Sequence, residues 1–310
     1  MQTRQPVLAL TVALLVAAGG VGSAYANQTS PDVRGGTQSH APSRIDDTSG
    51  DPLIAAAGDI ACRPGVSRTS SACHYSDTAK MLASADQVLT LGDNQYESGT
   101  STEYAGAFAK TWGLYKAKIQ PAPGNHEYKT SGASGYFKYF AVPSYYSYNL
   151  GAWHLVSLNS NVSMAEGSAQ NNWLEKDLAA NTAKCTLTYF HHPRYTAGNY
   201  SPGVSSVKPL WTDMLADRVD VTLAGHDHQY QRFASMNGSG GISSTGVRQF
   251  VVGTGGKSHY PIQNAYMTGL QKYNTTSFGV LRMVLHAGSY DWEFAADDGT
   301  VKDAGTAACV

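Results

Sequence analysis

LIAAAGDIA (53–61), DQVLTLGDNQY (86–96) and IQPAPGNHE (119–127) share one grammar: a short apolar run, a glycine, then polar side chains able to bind or react. Helical patterns separate them, around 76–84 and 102–115. Strand, helix, strand, helix predicts a mostly parallel sheet with right-handed crossovers. The next stretch repeats the logic, with strands WHLVSLNS (153–160), CTLTYFHH (185–192) and VDVTLAG (219–225) and helices over 169–180 and 204–216. RQFVVGT (248–254), FGVLRMVLHA (278–287) and SYDWEFAA (289–296) alternate without helices between them, as antiparallel hairpins do. No internal repeat at a solenoid period interrupts the reading, which is of one α/β domain beginning near Pro52.

A chain of 310 residues that is 42% hydrophobic and 10% aromatic can bury a sizeable core, which excludes a disordered or fibrous protein. Its 22 Lys and Arg against 23 Asp and Glu leave a formal net charge of −1. That balance provides no electrostatic footprint for nucleic acid or an anionic membrane, so the expected partner is a small molecule.

Residues 1–26 carry one charge, Arg4, then an apolar run, then the small-x-small triplet Ala24, Tyr25, Ala26, the layout of a cleavable secretory signal. Cleavage there would leave a net charge of −2, with no further run apolar enough to span a bilayer. Residues 27–51 hold almost no large apolar side chain and are expected to form a flexible leader, with the folded domain at 52–310. Cys62, Cys73, Cys185 and Cys309 fit no zinc spacing and suit an oxidising compartment, so disulfides and a secreted, extracellular protein are expected. Of three possible pairings, Cys62 with Cys73 closes a short loop rich in Ser, Arg and Gly, leaving Cys185 for Cys309.

Five polar clusters follow the apolar runs: Gly58-Asp59, Gly92-Asp93 through Tyr96, Gly124-Asn125-His126-Glu127, His191-His192-Pro193 and Gly225-His226-Asp227-His228. Ligand sites of open α/β sheets lie outside the carboxyl ends of the strands, where all five fall. One Gly-Asp alone is ordinarily a turn or a helix cap. His226 and His228 would share one side of an extended strand end, a recurrent metal geometry. His191 and His192 would point to opposite sides if their strand continued, so at most one is expected as a ligand. Five such clusters in order point to a metal site.

In that order the motifs resemble those of the calcineurin-like metallophosphoesterases, and most of all the purple acid phosphatases, over roughly Leu53 to Tyr230. The resemblance implies a two-sheet β-sandwich flanked by helices, a four-layer α/β/β/α fold with a dinuclear metal centre at its edge. It implies that Asp59, Tyr96 and His228 hold one metal ion, that Asn125, His191 and His226 hold the other, and that Asp93 bridges them. It also gives His126 the catalytic task of protonating the leaving group. Most of the superfamily carries His where this chain has Ala61, while Tyr96 stands where the purple phosphatases place a tyrosinate on ferric iron. The additional histidines that plant members carry beyond H-x-P are missing from RYTAGNYSPG (194–203), which moves weight onto His126.

Two cations about 3.5 to 4 Å apart polarise a phosphoryl oxygen and lower the pKa of bound water, making hydroxide available near neutral pH. Asp93 can give one oxygen to each, and the Asn125 amide donates without adding negative charge. The mixed N and O donors suit iron, zinc, manganese or cobalt and argue against calcium, and the resemblance implies iron paired with iron, zinc or manganese. The expectation is a secreted phosphatase for small phosphorylated substrates that hydrolyses monoesters by attack of a metal-bound hydroxide. A phosphodiesterase on the same centre is the alternative, and a non-catalytic phosphate-binding domain would call for at least one incapable ligand position, which none of the seven is.

Overall fold

The computed structural model describes Ile45 and residues 50–310. The expected signal, and all of the expected leader except Ile45, Gly50 and Asp51, fall outside the described residues.

In chain order the strands of the first half are β1 (Leu53–Ala57), β2 (Gln87–Leu91), β3 (Ile119–Ala122), β4 (Tyr146–Leu150), β5 (Trp153–Ser157) and β6 (Cys185–Phe190). Then come β7 (Val221–Ala224), β8 (Tyr230–Met236), β9 (Val247–Val252), β10 (Leu270–Asn274), β11 (Gly279–Leu285), β12 (Ser289–Ala296) and β13 (Val301–Ala308). The α-helices are α1 (Tyr75–Lys80), α2 (Ser101–Gly106), α3 (Ser134–Phe140), α4 (Ala169–Ala180) and α5 (Lys208–Ala216).

Two mixed sheets form. The first runs β13-β12-β11-β1-β2-β3, with β1, β2 and β3 parallel (Ile54 opposite Gln87, Val88 opposite Ile119) and β11 antiparallel to β1. The second runs β10-β8-β9-β7-β6-β5-β4, with β5, β6, β7 and β9 parallel. Both parallel centres are buried on both faces, which is why LIAAA (53–57) reads as an unbroken apolar run and CTLTYF (185–190) and VTLA (221–224) are interrupted only by threonine.

Ile54, Leu89, Leu187, Tyr189, Leu223 and Phe294 belong to one cluster that fills the space between the sheets. The outer face of the second sheet packs Val156, Phe190 and Val251 with Leu174 of α4 and Leu210, Trp211 and Met214 of α5. On the first sheet, Tyr104, Phe108, Trp112, Tyr136 and Phe140 supply the helical layer. The result is four layers, helix, sheet, sheet, helix. The Cys62–Cys73 and Cys185–Cys309 disulfides form as the spacing suggested, the second joining β6 to the segment after β13. Arg232 of β8 pairs with Asp303 of β13 at 2.7 Å, and Tyr230 donates to the same carboxylate at 2.7 Å, so the sheets are also tied through polar contacts.

The helix expected over 102–115 is not continuous. α2 begins on a capping box between Thr100 and Glu103 and ends after Gly106, and 3-10 turns carry the chain to Lys118. Gly106 and Gly113 weaken the helix, and the Phe108 N–H is taken by Gln95 Oε1 at 2.9 Å. The strand expected over 185–192 stops at Phe190, placing His191 and His192 in a bend.

Candidate metal centre

The loops that follow β1, β2, β3, β6 and β7 meet at one edge of the sandwich. Three residues in them hold left-handed backbone that side chains rarely adopt: Asp59 (φ 59°), Asp93 (φ 49°) and His226 (φ 70°). Each such residue costs about 1 kcal/mol or more, a strain typical of sites that the surrounding fold over-determines. The glycines before them allow close approach. A Cβ on Gly92 would lie 2.5 Å from His191 Nδ1, and one on Gly124 2.2 Å from the Asp93 nitrogen.

The structure brings all seven expected ligands and His126 together. In one group, Tyr96 Oη lies 2.9 Å from Asp59 Oδ1, 3.0 Å from Asp93 Oδ2 and 3.1 Å from His228 Nε2. In the other, His191 Nε2 lies 3.0 Å from Asn125 Oδ1, 3.2 Å from His226 Nδ1 and 3.4 Å from Asp93 Oδ2. Asp93 Oδ2 belongs to both groups.

Hydrogen bonds behind the candidate ligands govern what they present. His191 Nδ1 lies 2.9 Å from the Leu91 carbonyl, which can only accept, so the proton sits on Nδ1 and the Nε2 lone pair faces the site. His228 Nδ1 lies 2.9 Å from Ser258 Oγ, a hydroxyl that can accept the Nδ1 proton and so leave the Nε2 lone pair to the site. Lone pairs from Asp59, Asp93, Asn125 and His191 converge with the Tyr96 phenol, although acceptors repel one another. A cation between them resolves that conflict, and buried mixed N and O donors fit the transition metals expected from the sequence.

The electrostatics agree. Burial of His191 disfavours its charge, yet the neighbouring Asp93 outweighs this and raises its pKa to about 9, a demand for positive charge at this point. Burial, and after it His191 and His192, lowers His226 to about 2. Burial and then the charges of Asp59 and Asp93 push the Tyr96 phenol well above its ordinary value, so a phenolate here would need a cation beside it.

His126 stands at the rim. Its Nδ1 lies 2.7 Å from the Glu97 carbonyl, and its Nε2 is 3.9 Å from Asp93 Oδ2. Lys129 and Lys257 add positive charge nearby, Lys129 Nζ 3.0 Å from His126 Nδ1 and Lys257 Nζ 4.5 Å from the centre of the Tyr96 ring.

Alternation along an extended strand put His191 and His192 on opposite sides; the structure corrects this. Because β6 ends at Phe190, both rings turn towards His226, His191 at 4.9 Å and His192 at 4.4 Å between ring centres. One donor atom of each of the three lies within 4.8 Å of the others.

Four further residues were not assigned from the sequence. Glu127, fully buried, accepts from the backbone of Asp93 (2.9 Å), Gln95 (3.1 Å) and Gly124 (2.7 Å) and from the Tyr104 hydroxyl (3.2 Å), pinning two ligand loops together. Burial and then the Asp93 charge push its carboxyl up to about 8, while three backbone donors work in the opposite direction and favour the ionised form. Asp227, also fully buried, accepts from Thr196 Oγ1 at 2.5 Å and the Asn199 nitrogen at 3.1 Å, fixing the loop after His192. Tyr200 of that loop stacks on His226 at 3.9 Å, as Tyr260 stacks on His228 at 4.0 Å. Glu127 and Asp227 were visible as acids inside G-N-H-E and G-H-D-H; nothing local marked Tyr200 and Tyr260.

Among the described residues, the histidines outside the clusters have structural partners: His74 with Asp297, His154 with Asp177, His286 with Asp291. His259 stacks on Phe278.

A family model described as calcineurin-like phosphoesterase matches residues 52–230. Among curated proteins, the chain is 27% identical over 164 residues to probable purple acid phosphatase 20 of Arabidopsis thaliana, covering 43% of this chain and 38% of that relative. It is 26% identical over 191 residues to purple acid phosphatase 15 of the same organism, covering 48% and 36%. The matched stretches therefore span little more than a third of these relatives. Among solved structures, purple acid phosphatase PPD1 from yellow lupin (Lupinus luteus) seeds superposes with a TM-score of 0.69 at 19% identity, covering 83% of this chain and 53% of that one, which shows a shared fold.

Proposed function

The chain belongs to the calcineurin-like phosphoesterase family, and from that premise we propose that it is an exported, binuclear metal-dependent phosphatase acting on small phosphate monoesters. The observation that carries this reading is the convergence of seven donor side chains from five strand ends, with Asp93 Oδ2 shared between the two groups.

Asp59, Tyr96 and His228 would hold one metal ion, Asn125, His191 and His226 the other, with Asp93 between them. When bound, two such ions supply positive charge for a phosphoryl group and lower the pKa of water. The chain's own residues do the rest. The Asn125 amide and the neutral imidazoles add no negative charge, so the centre keeps a net attraction for a phosphate dianion. The Glu97 carbonyl orients His126 through Nδ1, leaving Nε2 to hold a proton and give it to the departing alkoxide, a step that contributes about 10² to 10⁴ in rate. Tyr96, if held as a phenolate, favours iron at the first position.

Two disulfides support export, and no helix among the described residues is long and apolar enough to cross a membrane. The test is metal analysis of the purified protein together with rates on p-nitrophenyl phosphate and its bis ester. Two metal ions per chain and faster turnover of the monoester are expected, with a visible absorption band on iron loading that Tyr96→Phe removes. Absent metal refutes the centre, and a preference for the bis ester makes the enzyme a phosphodiesterase.

A further inference from the structure

His191 and His192 are neighbours in sequence and in space, yet their hydrogen bonds give them opposite chemistry. The His191 proton is fixed on Nδ1 by the Leu91 carbonyl, so Nε2 offers a lone pair. His192 Nδ1 lies 2.8 Å from Ser160 Oγ, and that same oxygen accepts the His192 backbone N–H at 3.1 Å. Ser160 is only 6% exposed, and among the described residues its hydroxyl hydrogen has one acceptor in reach, His192 Nδ1. Ser160 therefore donates to Nδ1, which leaves the imidazole proton on Nε2.

An Nε2–H cannot ligate a metal ion; it can donate to an anion. It has no protein partner among the described residues, although the ring stands 4.4 Å from His226 between centres, beside the second group of ligands. Side chains that converge on a ligand without a protein partner are what a binding site leaves for its substrate.

We propose that His192 is a substrate-binding residue, its neutral Nε2–H donating a hydrogen bond to a phosphoryl oxygen on the side of the centre near His226, with Ser160 as the positioning residue that fixes its tautomer. The proposal rests on the phosphatase reading for the identity of the anion. It gives the site a donor on the side where RYTAGNYSPG (194–203) supplies no histidine.

The test is direct binding of inorganic phosphate to the metal-loaded protein by calorimetry, with metal content measured for every variant. A hydrogen bond to a charged group is worth about one factor of ten or more in affinity. His192→Ala is expected to keep both metal ions and bind phosphate about tenfold or more weakly. His192→Gln, whose amide nitrogen can take the place of Nε2, should recover much of the loss, and Ser160→Ala should weaken binding by a smaller factor without metal loss. His191→Ala, in contrast, should lose metal. Metal loss in both His192 variants would make His192 a ligand and overturn the proposal, as would unchanged phosphate affinity in His192→Ala. A wild type that holds two metal ions and binds phosphate but hydrolyses no ester would sink the phosphatase reading while leaving the His192 comparison decisive.

Discussion

Replacing Glu127 with glutamine changes one atom and removes one charge, and the structure says why that should matter. Its Oε2 accepts the Asp93 and Gly124 N–H groups, and its Oε1 accepts the Gln95 N–H and the Tyr104 hydroxyl. An amide must point its NH2 at one of these pairs. Facing Oε2's partners it would orphan two backbone donors; facing Oε1's it orphans one, since the Tyr104 hydroxyl can turn and accept. The second choice is the cheaper. An unpaired buried N–H costs about 1 to 3 kcal/mol, and the remaining bonds fall from charge-assisted to neutral strength, so a total of about 2 to 5 kcal/mol is expected. Against a whole stability of about 5 to 15 kcal/mol that is readily measured by urea unfolding. Because the Asp93 N–H is among the partners, metal content should drop as well. The competing idea is that Glu127, pushed up to about 8 by burial and Asp93, already carries a proton in the folded protein. A protonated carboxyl has already given up its charge, so Glu127→Gln would then cost no more than the orphaned Gln95 N–H and leave the metal content alone. A loss below about 0.5 kcal/mol with unchanged metal would refute the ionised anchor inferred from the backbone donors.

Asp93→Asn removes the charge of the carboxylate common to both groups, and with the amide oxygen kept on the His126 N–H its NH2 takes the place of Oδ2, so it should lose at least one metal ion and all activity; full activity with two ions bound would sink the bridging assignment. His126→Ala should keep its metal yet lose about 10² to 10⁴ in rate on an alkyl monoester and far less on p-nitrophenyl phosphate, whose leaving group departs without a proton. Equal losses on both would reduce His126 to a support. Cys309→Ser opens a disulfide closing a separation of 124 residues and should cost about 2 to 5 kcal/mol in urea unfolding, with turnover of the folded fraction unaltered. Burial and then the charge of Glu175 push Asp213 up to about 6. A carboxyl raised by folding destabilises the ionised form, so its cost is full above pH 6 and gone below its unfolded pKa near 4. Asp213→Asn should thus stabilise by about 1 kcal/mol at pH 7, after allowance for solvent screening, and by nothing below about pH 4; equal gains at both values would contradict the assignment.

What could be read from the chain, and what could not, follows from where the information is stored. Strands buried on both faces, such as LIAAA (53–57) and CTLTYF (185–190), declare themselves because burial keeps charged side chains out of them. The edge strands β10 and β13 do not, since LQKYN (270–274) and VKDAGTAA (301–308) face solvent along much of their length and are held by pairing with a neighbour already formed. Four of the seven candidate ligands, Asp59, Asp93, Asn125 and His226, were legible because each directly follows a glycine at a strand end, placed there for close approach like that seen at Gly92 and Gly124. Roles set by a partner far along the chain were not legible. His192 illustrates the limit. Strand alternation assigned it the face opposite His191, but the strand ends at Phe190, two residues earlier, and the property that separates the two histidines, which nitrogen carries the proton, is decided by Leu91 for one and Ser160 for the other, 100 and 32 residues away. A motif can therefore announce that a histidine pair serves a metal centre, while only the hydrogen bonds behind the rings divide the pair into a ligand and a donor.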